Sequence, residues 1–187
     1  MKLKVHYNSP VILSYFLLCV IILIAEISTQ TRIMGYFTVY PRFAVSNPLD
    51  YFRLISHIAG HANLAHLLGN MMLLLLIGPL MEERYGSKHL LAMILITGLL
   101  TGVLNVLFFP QGLLGASGIV FMLIILSSFN NLRQGSIPLT FIIVFFIYIF
   151  QEVYLELNTD SNVSHFAHIL GGGMGSIYGF AYNRIFG

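Results

Sequence analysis

Residues 112–124 read GLLGASGIVFMLI, where one hydroxyl, that of Ser117, stands among glycines and apolar side chains. Taken alone, Ser117 is loop punctuation, a packing residue or a nucleophile. A serine hydroxyl becomes a useful nucleophile only with a base beside it, and histidine is the usual one. His168 stands in the apolar run FAHILGGGMG, and NLAHLLGN carries His66 and Asn70 at i and i+4, the spacing of neighbours on one helix face. Nucleophile, base and polar donors are the parts of an acyl-transfer site. No Asp or Glu lies near His168 in sequence, and Glu26, Glu152 and Glu156 fall at the ends of apolar runs. A Ser–His dyad is therefore expected, not a triad.

The elements that carry these groups must live in lipid. Of 187 residues, 57% are hydrophobic and 9% charged, and mean hydropathy is +0.85. A soluble domain has about 25% charged residues, so this chain cannot clothe a soluble surface. The net charge of +2 is too small and too dispersed to argue for nucleic acid. Cys19, the single cysteine, excludes an internal disulfide framework. A helix needs about 20 apolar residues to cross a bilayer, and six runs approach that, at about 10–26, 62–81, 89–109, 114–129, 137–155 and 163–183. The expected fold is an all-α bundle of six membrane helices forming a single domain over 1–187. Residues 27–60 are too many for a turn and are expected to fold against the membrane face. The first run follows Lys2 and Lys4 without a small-x-small cleavage site, so it reads as an anchor. With both termini cytoplasmic, the inside carries Lys2, Lys4, Arg84, Lys88, Arg133 and Arg184, and the outside Arg32, Arg42 and Arg53. That bias predicts a multi-pass inner-membrane protein with N-in, C-in topology.

In that topology the second, fourth and sixth runs all descend from the outer face, each with its polar residues near its start. At about 1.5 Å per residue, His66, Ser117 and His168 lie roughly 5–10 Å deep, with Asn70 one turn deeper. Ionisable groups inside a membrane are costly and mark function. Gly171, Gly175 and Gly179 recur every fourth residue in the sixth run, a spacing that lets helices approach closely. Gly115 and Gly118 are the expected facing surface, and Gly98 and Gly102 form another small-residue face in the third run. A serine at a helix start also has an N–H with no intrahelical acceptor, available to an oxyanion. Pro110 and the glycines of FPQGLLGAS are expected to end the third helix and let the chain dip before a short fourth.

These pieces resemble the rhomboid family of intramembrane serine proteases, from about Phe52 to Tyr182. HANLAHLLGN matches its HxxxN, GASG its GxSG, AHILGGGMG its AHxxGxxxG, and MEERYG its ExR element through Glu82 and Arg84. The resemblance implies that Ser117 attacks the scissile carbonyl while His168 acts as general base and then general acid. It implies an oxyanion hole of His66, Asn70 and the Ser117 N–H, with no metal and no cofactor. Substrates would be membrane proteins that enter sideways from the bilayer and are cut in or beside a transmembrane helix.

The chain departs from the family pattern at Phe52–Arg53, often Trp–Arg, and at Phe121, often a tyrosine stacked on the base. His165 adds a second titratable group near the site. His57 and His61 read as support or surface, His6 and His89 as interfacial, and Glu82–Arg84 as a structural cytoplasmic tie. Seven histidines keep a metal channel or transporter as the rival from another class, although there is no HExxH and no transporter-type repeat. A catalytically dead rhomboid-like escort is the other rival, against which both Ser117 and His168 are present.

Overall fold

The computed structural model describes residues 6–29, 32–129 and 165–186, with seven helical positions between 139 and 150. Among the described residues the chain is helical, with no strand beyond a single bridge between Val39 and Leu113. The helices are α1 (Pro10–Thr29), α2 (Pro48–Ser56), α3 (Leu64–Tyr85), α4 (Ser87–Phe108), α5 (Ser117–Ser127) and α6 (His165–Phe186). By length and composition α1, α3 and α4 can each cross a membrane, whereas α5 is a shorter apolar helix. The fifth expected run, 137–155, falls largely outside the described residues.

Local chemistry explains the boundaries. Asn63 caps α3, its Oδ1 accepting from His66 N at 2.8 Å. Gly86 turns α3 into α4 at a positive φ of 77°, which glycine adopts freely. Among the described residues, the α-helix absent from the sequence reading is α2, inside the 27–60 stretch. Its signal was present: Asn47 Oδ1 accepts from Leu49 N at 3.1 Å, and Pro48 follows at the first helical position.

One end of the bundle is fastened by polar side chains. Glu82, near the end of α3, accepts from Val11 N and Ile12 N at 3.0 Å each and from Ser87 Oγ at 2.7 Å. It thereby satisfies orphan N–H groups at the start of α1 and ties in α4. Arg84 Nη2 donates to the Phe129 carbonyl just past α5 at 3.2 Å, and Tyr182 Oη donates to the Arg84 carbonyl at 3.4 Å. The last turns of α3, α5 and α6 thus meet at this end, so the three helices run in the same direction. Their first turns gather at the other. The Glu82–Arg84 tie is structural, as its place in the sequence suggested.

The small-residue faces do two jobs. α6 lies on α5 so closely that a Cβ on Gly171 would run into the Gly118 carbonyl and sit 2.8 Å from its carbon. A Cβ on Gly179 would sit 2.5 Å from the Phe129 ring. Gly118 is the facing residue expected; Gly115 is not, because it lies against His66 instead. On α4, Gly98 and Gly102 receive the loop that contains α2: a Cβ on Gly102 would lie 3.0 Å from Leu54 Cα, and one on Gly98 3.0 Å from Ile58. The core beneath is apolar, with Leu74, Met81, Leu90, Met122 and Leu126 all fully buried.

Candidate active site

Residues 109–116, between α4 and α5, are not helical. Non-helical backbone inside a membrane protein is tolerated only where its polar groups find protein partners or a cavity. Here they do: Leu113 and Val39 exchange backbone bonds at 2.9 and 3.0 Å, and Gly115 N donates to the His57 carbonyl at 2.9 Å. Asn105 Nδ2 donates to the Gln111 carbonyl at 2.9 Å. The segment delivers Ser117 as the first residue of α5, where helix geometry leaves its N–H without an intrahelical acceptor.

A cavity of about 580 Å³ opens at this point. Ser117, His168, His66 and Asn70 all line it, together with Phe121 and Gly69. Four positions spread over a hundred residues thus share one pocket, because three parallel helices begin beside it. Ser117 is half-buried, and His168 and Asn70 are buried. The Phe121 ring lies 4.5 Å from the His168 ring, tilted by 39°. His165 stands edge-on to His168, with ring centres 5.9 Å apart.

The donors are set by their surroundings. Asn70 Nδ2 donates to the His66 carbonyl at 2.9 Å, which uses one of its two hydrogens. His66 Nδ1 accepts from Ala62 N at 3.4 Å, which leaves the ring proton on Nε2. That edge of the ring lies over Gly115, whose φ is 126° and whose added Cβ would sit 2.9 Å from Nε2. Gly115 therefore has two reasons to lack a side chain.

Of the two places expected for His57 and His61, support or surface, the structure gives the first: both are buried. His57 Nε2 lies 3.0 Å from the Gly98 carbonyl, and burial, opposed by that bond, pushes its imidazole down to about 4. Its backbone carbonyl is what holds Gly115. That contact and the Val39–Leu113 pairing, which position the segment before Ser117, have no signature in the sequence, since neither uses a side chain. Among the described residues no group of three His, Cys, Asp or Glu side chains is placed to hold a metal ion.

The model of the Rhomboid domain family matches residues 48–185, from α2 through α6. The chain belongs to the rhomboid family. This rhomboid is 31% identical over 114 residues to the rhomboid protease GlpG of Yersinia pestis (strain Pestoides F), covering 61% of this chain and 41% of that protein. It is 43% identical over 77 residues to rhomboid-like protease 2 of Toxoplasma gondii, covering 40% of this chain and 27% of that protein. The chain thus spans about two fifths of the length of the bacterial relative. Family and apolar helices together make this rhomboid a membrane-embedded protein.

Proposed function

We propose that this rhomboid is an intramembrane serine endopeptidase working through a Ser117–His168 dyad. The observation that carries the reading is the single cavity lined by Ser117, His168, His66 and Asn70. Ser117 Oγ attacks the scissile carbonyl as His168 takes its proton. His168 returns that proton to the leaving amine. Water then attacks the acyl-enzyme, giving its proton to His168, and Ser117 is regenerated. The tetrahedral oxyanion is met by the Ser117 N–H, the second Asn70 Nδ2 hydrogen and His66 Nε2–H. The Phe121 ring holds His168 by packing, without the hydroxyl a tyrosine would add.

The reading extends to one six-helix membrane domain in the inner membrane with both termini cytoplasmic. Its substrates are membrane proteins entering sideways from the bilayer, and it uses no cofactor and no nucleic acid. The common direction of α3, α5 and α6 is what a six-helix chain requires of its second, fourth and sixth helices, and the Lys and Arg bias supplies the orientation.

The test is cleavage of a model transmembrane substrate by detergent-solubilised protein. Ser117→Ala and His168→Ala should each remove most turnover, and the double variant should lose little more, because the two act as a unit. Substantial cleavage by Ser117→Ala would refute the dyad. In sealed membranes, a polar serine-directed probe should label Ser117 from the outer side only.

A further inference from the structure

A larger cavity, about 890 Å³, lies away from Ser117, beneath α2 and between α1 and α4. Val11, Tyr15 and Leu18 form its α1 wall, and Leu91, Ile94 and Leu95 its α4 wall. Phe52 and Ile55 of α2 roof it, and the Tyr15 hydroxyl closes the back by donating to the Ile58 carbonyl at 2.7 Å. Ser14 and Ser87 line the end nearest the start of α1. From Ser87 to Leu95 the groove follows α4 for about 12 Å.

What fills it follows from its walls. Both α1 and α4 are long and apolar enough to cross a membrane. The rim residues Leu18, Leu91, Leu95, Phe52 and Ile55 are 38–52% exposed. On α1 this rim continues into the exposed strip of Leu17, Ile21 and Ile24, so the mouth opens on the surface that faces hydrocarbon. A bound water needs two to four polar partners, and the apolar walls do not provide them. Left empty, the lining would forfeit its dispersion contacts. At the Ser14–Ser87 end the groove does turn polar. Tyr7 Oη lies 3.0 Å from Ser14 Oγ, Ser87 Oγ is engaged with Glu82 at 2.7 Å, and Lys88, exposed and outside the lining, follows Ser87. A cation at a membrane surface favours an anionic headgroup.

We propose that this groove binds one anionic membrane phospholipid, an acyl chain lying between α1 and α4 under α2 and the phosphate at the Lys88 end. The bound chain braces the underside of α2, whose following residue, His57, holds Gly115 of the catalytic cavity. The proposal needs the protein to be in a membrane but does not depend on the peptidase reading.

The chain contains no tryptophan, so a single introduced tryptophan is a clean reporter. Leu95→Trp at the mouth and Ile21→Trp on the open α1 face would be reconstituted in vesicles of phosphatidylglycerol brominated on its acyl chains. Both should be quenched. On transfer to unbrominated phosphatidylglycerol vesicles, Ile21→Trp should recover at once and Leu95→Trp at least about tenfold more slowly, as a held ligand leaves later than bulk lipid. Equal recovery would overturn the proposal. Independently, native mass spectrometry of the wild type should show one retained phosphatidylglycerol, lost in Ser14→Trp, which fills the groove. Retention unchanged in Ser14→Trp, or a groove closed by a second copy and seen as a dimer mass, would overturn it too.

Discussion

Replacing Gly171 by alanine places a methyl group against backbone that cannot step aside. The new carbon would lie 2.8 Å from the Gly118 carbonyl carbon and 3.1 Å from its Cα, with the carbonyl oxygen nearer still. Carbon atoms in contact settle about 3.5–4.0 Å apart, so the carbon contact alone requires α5 and α6 to part by at least about 0.7–1.2 Å, and the oxygen requires no less. Ser117 is the residue before Gly118, and His168 is one turn before Gly171 on α6, so the displacement falls on the proposed dyad. A misplacement of about 1 Å can cost ~10²-fold in rate, or about 2.7 kcal/mol of transition-state stabilisation. Overpacking costs roughly 1–3 kcal/mol of stability, and alanine returns about 1 kcal/mol of helix propensity, so the variant should stay folded. Gly173→Ala is the control. It lies on the same helix, gains the same propensity, and its Cβ would meet nothing within 4 Å. The assay is kcat/KM on a transmembrane substrate together with Tm for both variants. Gly171→Ala cleaving at the wild-type rate, or Gly173→Ala losing as much, would refute the reasoning.

Gly115→Ala combines a left-handed-side φ with a clash on the His66 ring; kcat should drop roughly 10²-fold, as for loss of one oxyanion donor, and a wild-type kcat would remove His66 from the oxyanion hole. Glu82→Ala leaves two α1 N–H groups and the Ser87 hydroxyl without their acceptor; at roughly 1.5–3 kcal/mol per hydrogen bond to a charged group, a clear fall in Tm is expected by thermal unfolding in detergent. Asp50 is held below the usual carboxylate range, first by the Ala44 N–H at 3.0 Å and, against some burial, by Arg53. Its folded value is the lower one, so its contribution is complete above about pH 4, the unperturbed range, and is lost as pH falls through the folded value. Hydrogen-exchange protection around 44–53, taken relative to the intrinsic rate at each pH, should therefore fall in acid in the wild type, whereas Asp50→Asn should be weakly protected throughout with no acid step.

Composition alone placed this chain in lipid, because 9% charged residues cannot cover a soluble surface. The long helices were legible for the same reason: apolar length is a property of a segment, and α1, α3 and α4 begin and end within a few residues of where the runs do. That Ser117, His168, His66 and Asn70 would come together was legible because motif spacing and shared depth are one-dimensional facts, and the four do line one cavity. What the sequence could not contain were contacts between distant backbones. The carbonyl of His57 on Gly115 N, Val39 paired with Leu113, and Leu54 resting on Gly102 involve groups every residue possesses, so no side-chain pattern announces them. Gly115 shows the limit most plainly. Its type was visible as a small residue suited to helix packing. Only the fold decided that the missing Cβ makes room for an imidazole and not for α6, because that depends on which element the chain brings alongside after it dips.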